Sequence, residues 1–321
     1  MVSLAIFVLF GLIYGAVLQR SGFCFARAGF ELFLLRSRDA FNGVIAALLV
    51  GTLGLGLGSL LYHPPQGHLL LLPFGVGTAV GATIFGLGMS LTGMCAAGTL
   101  LRLGEGYVIA WVSLAGILLG AALDPFRVFV PQAWQLQHHG LWLGERMGVA
   151  GGCAATLVFL LILWRVLAGR QSLTARDLVT PTVIGGALLG LVNSVQAAVA
   201  TPWTVAYPLG LVPPALSGHL TAGELQSALP LGLLDLGLVV GAALSLAVGE
   251  KFRLKWPRRG KEIAITLAGG ILMGWGIQLG RGCSIGGAFS ALASLSVSGW
   301  LFFPCLLFGA WLGAHLMRRL A

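Results

Sequence analysis

The chain has 321 residues, of which 57% are hydrophobic and only 9% charged, and its mean hydropathy is +0.94. This composition excludes a water-soluble protein with an apolar core and a polar surface, and predicts an all-α, polytopic integral membrane protein. The net charge of +9 does not indicate nucleic acid, because basic residues flanking apolar spans are the usual mark of cytoplasmic loops.

Crossing about 30 Å of hydrocarbon takes about 20 helical residues. Runs of roughly that length fall near 2–18, 41–61, 69–91, 107–123, 147–167, 181–200, 231–248, 263–279 and 300–317, which predicts nine spans. The first run has no basic flank and no cleavage-site pattern, so no secretory leader is expected and the mature chain is expected to begin at Met1. It leads into a glycine-bearing bend with Cys24, nine residues after Gly15. The third run ends in a similar bend with Cys95, nine residues after Gly86. Residues 124–146, with Trp134, His138, His139 and Trp142, predict an interfacial connection of the kind aromatic side chains favour. No metal site is expected at His138 and His139, which lack a nearby third ligand.

The sixth run, GGALLGLVNSVQAAVATPW, places Val199 nine residues after Gly190, so a fourth bend is expected there without its thiol. The connection 201–230 is apolar but broken by Pro202, Pro208, Pro213 and Pro214, and reads as re-entrant or interfacial. The eighth run carries the fullest version of the bend, with Cys283 nine residues after Gly274. Residues 1–125 and 181–321 therefore read as two inverted repeats joined by a connecting span within 126–180, a common transporter plan with the site at the repeat interface.

The basic residues test this count. With the N-terminus outside and the C-terminus cytoplasmic, sixteen Lys and Arg lie inside, including the cluster KFRLKWPRRGK, and only Arg127, Arg146 and Arg281 lie outside. That asymmetry matches the positive-inside rule.

Five cysteines form neither a CxxC pair nor a disulfide framework, so free thiols are expected. Cys153 and Cys305 sit in smooth apolar runs and read as small buried hydrophobes. Cys24, Cys95 and Cys283 sit on the bends, with Gly22, Gly93 and Gly282 as elbow glycines that let the backbone turn and approach closely. The short segments after the bends are too brief or too polar to span, and irregular backbone at membrane depth is tolerated only inside protein or along a cavity. If these segments fold inward, their helix N-termini favour an anion at the centre. Arg281 stands two residues from Cys283 and outside the inner arginine set. Gln278 is the polar span residue best placed to line a path, and Asp235 is expected to reach water near the outer end of its span, with proton coupling as the alternative. Beside such amides and guanidinium a thiol is either a stabilised thiolate, suited to reaction, or a neutral donor, suited to an anion path.

The bends RSGFCFARAGFELFLLR, GLGMSLTGMCAAGTLLRLGEG and GGILMGWGIQLGRGCSIGGAFSALASLSVSGW resemble those of the YeeE/YedE family of membrane proteins with sulfur-transport domains, over nearly the whole chain. The resemblance implies an inner (plasma) membrane permease for thiosulfate or a related sulfur oxyanion, passed along by transient contacts with three cysteines that match Cys24, Cys95 and Cys283. It also implies selenium compounds as an alternative cargo and a small cytoplasmic sulfur-carrier protein as a partner beside the lipid bilayer. No cofactor, metal or nucleic acid is expected, and the chain is not expected to be an enzyme. The rival reading is a membrane sulfurtransferase that forms a cysteine persulfide, and against it no general base stands near any bend.

Overall fold

The computed structural model describes residues 4–62, 69–123, 141–168, 177, 179–216, 218–249, 253–257 and 259–320. The helices of the first half are α1 (Leu4–Ser21), α2 (Phe25–Phe30, continued by a π-helical turn Glu31–Leu35), α3 (Asp39–Tyr62), α4 (Val76–Thr92), α5 (Ala96–Gly104) and α6 (Ile109–Ala122). A peripheral helix α7 (Leu143–Ala168) follows. The second half contains α8 (Pro181–Val199), α9 (Ala206–Leu216), α10 (Ala222–Val248), α11 (Gly260–Gly280), α12 (Ser284–Ala293) and α13 (Val297–Leu320). The protein is an all-α polytopic membrane protein, and eight helical segments among the described residues are long and apolar enough to cross a bilayer.

These eight coincide with eight of the nine predicted spans. The other, at 107–123, is the 14-residue α6, about 21 Å long at 1.5 Å per residue and shorter than a straight helix across the full hydrocarbon layer. Its missing length is taken by the loop Gly106–Val108. There Val108 N donates to Lys255 O at 3.0 Å and Lys255 N to Gly106 O at 2.9 Å, pinning the loop to the basic segment before α11. Of the cluster 251–261, residues 251, 252 and 258 lie outside the described residues, as do 124–140 with His138 and His139.

Lipid is as apolar as leucine, so helices associate here by close packing rather than by escape from water. Helix α1 lies along α10 and α3 along α8, while α4 packs against α11 and α13, and α11 against α6. A Cβ on Gly11 would lie 2.1 Å from Leu234 O, one on Gly186 2.1 Å from Gly43 O, one on Gly86 2.2 Å from Leu306 O and one on Gly120 2.2 Å from Ile271 O. No side chain fits at those crossings. Exchanging α1, α3, α4 and α6 with α8, α10, α11 and α13 maps this set of pairs onto itself.

The ambiguous connection 201–230 contains α9, which packs against α6, α10 and α11 as α2 packs against α13, α3 and α4. The fourth bend is therefore longer than the sequence pattern suggested. Val205, immediately before α9, occupies the place that Cys24 has before α2, and it lies fifteen residues after Gly190 instead of nine. Val199 is still within α8. Counting from the glycine failed because both the helix and its following linker are longer here.

Candidate functional site

Three bends share one backbone pattern. Each long helix ends on a residue in the left-handed region, two positions before the cysteine: Gly22 (φ 65°), Gly93 (φ 67°) and Arg281 (φ 53°). The cysteine then takes extended dihedrals and caps the next helix. Cys95 Sγ accepts from Gly98 N at 3.2 Å and Cys283 Sγ from Gly286 N at 3.4 Å, so both sulfurs point back at helix N-termini. In the third turn the two roles of an elbow glycine fall on different residues. The left-handed position belongs to Arg281, where a non-glycine residue costs about 1–2 kcal/mol. Gly282 is needed for a different reason, since its Cβ would lie 2.9 Å from the Cα of Gly287. That close approach arises from the π-helical opening of α12, in which Gly287 N and Ala288 N both donate to Cys283 O, at 2.7 and 3.3 Å. Such π turns gather at functional sites.

The bends bring the predicted thiols to one place. A Cβ on Gly98 would lie 3.4 Å from Cys95 Sγ and 3.5 Å from Cys24 Sγ, so the two sulfurs lie on either side of it. Cys283 is fully buried, accepts from Gly286 N of its own helix, and has Val205 and Ala206 of the fourth bend nearby. Ser284 connects the two groups: it follows Cys283, neighbours Cys95 and has a buried hydroxyl without a hydrogen-bond partner. All five cysteines are free. Cys153 and Cys305 lie elsewhere, Cys153 with its Sγ 3.9 Å from Thr52 O between α7 and α3, and Cys305 on α13.

Two cavities flank this cluster. One of about 450 Å³ is lined by Gly22, Cys24, Arg27, Gly93, Gly98 and Arg102 among others. The other, of about 300 Å³, is lined by Thr204, Ala206, Tyr207, Gln278 and Arg281 among others. A gap of about 10 Å³ remains between Cys24, Cys95 and Ile285, room for about one water. Cys24 and Cys95 thus line a narrow gap beside the larger cavity, while the buried Cys283 lines neither that gap nor either chamber.

The charges around it are unequal. Arg27 is paired with Glu31 and Arg102 with Glu105, the latter at 3.0 Å, so the guanidinium groups of the larger cavity are partly neutralised. Among the described residues Arg281 has no carboxylate partner and is exposed to the smaller cavity, where it attracts an anion. Gln278 lines the same cavity, but its amide nitrogen already donates to Ala121 O and Gly210 O, each at 3.2 Å, and ties α6 and α9 to α11. Asp235 departs from the expectation that it reaches water. It is 6% exposed, held inside the bundle by Trp203, whose Nε1 donates to its Oδ1 at 3.4 Å.

The site also contains residues that the sequence did not single out: Gly98 between two thiols, Ser284 between two bends, and Val205 at the fourth. The signal for Gly98 and Ser284 was their place in the first turn after a bend cysteine. For Val205 there was none.

The family model described as sulphur transport matches residues 20–312. The chain belongs to the sulphur transport family. A thiosulfate transporter TsuA of Spirochaeta thermophila is 28% identical over 97% of this chain and 98% of its own, and a protein of the same name from Escherichia coli is 26% identical over 97% and 94%. A probable transporter YedE of Salmonella typhimurium is 30% identical over 26% of this chain and 21% of its own. Sulphur transport family membership covers every element that builds the constriction, from the bend at Cys24 to α13. In chemical terms the arrangement offers thiol S–H groups, a buried hydroxyl without a partner among the described residues, and helix-terminal amides around a narrow gap. These donors suit a small anion with a polarizable sulfur atom better than a metal ion, and no metal-ligand cluster exists among the described residues.

Proposed function

We propose that this protein imports thiosulfate, or a closely related sulfur oxyanion, through the constriction formed by Cys24, Cys95 and Cys283. The observation that supports this reading most is the narrow gap lined by Cys24 and Cys95 beside the larger cavity, together with Arg281 in the smaller one, which has no carboxylate partner among the described residues. The relatives named as thiosulfate transporters, matched over nearly their whole length, point to the same cargo. Arg281 collects the anion, and the neutral thiols pass its terminal sulfur by weak S–H contacts, because a thiolate would repel it. Ser284 supplies a further donor. Residues 1–125 and 181–321 act as inverted repeats with 126–180 between them, a reading supported by the reciprocal helix pairing. The protein resides in the inner (plasma) membrane with its N-terminus outside, so the smaller cavity faces out and the larger one the cytoplasm, where a sulfur-carrier protein would receive the cargo. A protease added to intact cells should leave a C-terminal tag uncut; cleavage there would reverse this orientation.

The rival reading is a sulfurtransferase with a persulfide on one thiol, and it differs in what the sulfur must do. A transferase needs a thiolate that attacks and holds sulfur covalently, whereas a relay needs a donor that lets go. Serine keeps a donor but not that nucleophile. Cys283→Ser is therefore expected to retain more uptake than Cys283→Ala, and intact-mass spectra of the wild-type protein after thiosulfate exposure to show no added sulfur atom. A stoichiometric sulfur adduct that disappears with Cys283 would put the enzyme first.

A further inference from the structure

The passage described above does not account for Asp235, a carboxyl group inside a membrane-spanning helix. Ionisable groups at such depth are rare and normally serve a pathway or pair with a partner. Asp235 Oδ2 is buried without a hydrogen-bond partner, and no cation among the described residues is paired with it. Its one bond, from the indole of Trp203, joins it to the site. Trp203 is fully buried, stacks on Tyr14 at 4.2 Å between ring centroids, and is fixed at its backbone by Asn193 Oδ1 (3.1 Å to its N) and Ser290 Oγ (2.6 Å to its O). Two residues further on, the same stretch of chain passes close to Cys283 at Val205 and Ala206. Asp235 is thus linked by one side chain to the bend that closes the constriction from the Gln278 side.

We propose that Asp235 carries a proton inward with the anion, making the protein a proton–anion symporter. This rests on the transport reading above. An ionised carboxylate in this low-dielectric setting disfavours an anion at the neighbouring bend, and protonation removes that repulsion. Binding of the two is therefore mutually reinforcing, as linkage requires. The proton arrives through the smaller cavity, which is lined by Leu231, one turn from Asp235 on α10, and by Thr204, next to Trp203. Only the carboxyl O–H bond is made and broken: the proton is taken from water on one side and returned to water on the other, with no redox change. Helices α1, α5 and α9 pack on α10. Their titratable or charged groups are Tyr14, Arg20, Arg102 and Tyr207. Tyr14 meets Asp235's partner Trp203, Arg20 reaches Ser245 ten residues further along α10, Arg102 pairs with Glu105, and Tyr207 lines the cavity. On α10 itself, Glu224 is engaged by Thr221.

The test uses proteoliposomes with the membrane potential clamped. With the interior one pH unit more alkaline, wild-type protein should accumulate labelled thiosulfate about tenfold per coupled proton, since one pH unit corresponds to a factor of ten in equilibrium ratio. Asp235→Asn should lose that accumulation, its inside-to-outside ratio falling to about one, while thiosulfate-for-thiosulfate exchange at equal pH, which moves no net proton, falls far less. Accumulation by Asp235→Asn equal to wild type, or wild-type uptake indifferent to the gradient, would overturn the proposal. If the variant fails to exchange, the wild-type protein decides alone: adding thiosulfate must alkalinise a weakly buffered outer medium, and its absence while uptake proceeds overturns proton coupling. Wild-type vesicles that neither exchange nor accumulate thiosulfate would instead sink the transport reading itself.

Discussion

Proteoliposomes carrying Cys95→Ala are expected to take up thiosulfate at a tenth of the wild-type rate or less. Cys95 is 3% exposed and stands where Cys24, Ser284 and the first turn of α5 converge. Removing its sulfur deletes a donor that an anion in the gap has no water to replace. A hydrogen bond to a charged group is worth about 1.5–3 kcal/mol, a factor of about ten to a hundred and fifty in rate if it is lost mainly at the barrier. Cys24→Ala is expected to fall in the same range, since it removes the other thiol of that gap, and so is Cys283→Ala, which removes the thiol that caps the third bend. Cys153→Ala and Cys305→Ala stay within about twofold of wild type, because half-buried cysteines on helix flanks contribute only small-volume packing. Rates are compared at matched amounts of folded protein. Equal losses at all five positions would reduce the bend cysteines to packing residues.

Gly98→Val is expected to block uptake without unfolding the protein. The Cβ of residue 98 points between the two sulfurs at 3.4 and 3.5 Å, and its next neighbour, Met94 Cβ, is 3.9 Å away. These are ordinary contact distances, so an alanine fits and a valine fills the residual gap of about 10 Å³. Gly98 lies in α5 without a positive φ, and a residue with a Cβ costs the helix nothing there. Gly98→Ala is expected to raise stability by up to about 1 kcal/mol, the usual gain where glycine gives way to alanine in a helix. Thermal unfolding in detergent and uptake then move in opposite directions, stability up and transport down. Normal transport by Gly98→Val would mean the anion does not pass between Cys24 and Cys95.

Cargo charge gives Asp235 its wider importance. A dianion entering a cell that is negative inside works against about 2.3 kcal/mol per charge for every 100 mV. The sequence contains no P-loop GxxxxGK[ST] to supply that work from ATP, so a buried, unpaired carboxyl next to the gate is the feature on this chain best suited to couple a proton.

Much of this was readable from the residues, for definite reasons. Eight spans followed from hydropathy because lipid enforces long apolar helices. The three thiol bends stood out because a tight turn out of a helix needs a glycine or a tolerated left-handed residue at a fixed distance from the next cap. The rest depended on tertiary geometry. That Arg281 holds the left-handed position was not legible, since nothing in the sequence separates the residue that turns from Gly282, which makes the close approach to the π turn. The fourth bend was misplaced at Val199, since no cysteine marks it and nothing local reports that α8 runs on before the turn. α6 was overestimated because its apolar run includes the pinned loop at Tyr107. Asp235 was expected at water, and only the fold shows Trp203 holding it inside. Gly98 and Ser284 are small residues in a chain with 49 glycines, and composition alone gave them no weight.

The most direct test of the central claim is uptake of labelled thiosulfate by proteoliposomes containing this protein and no other. The account predicts saturable uptake well above protein-free vesicles, lost in Cys95→Ala and in Gly98→Val. Uptake no greater than that of protein-free vesicles, from protein shown to be folded and inserted, would contradict it.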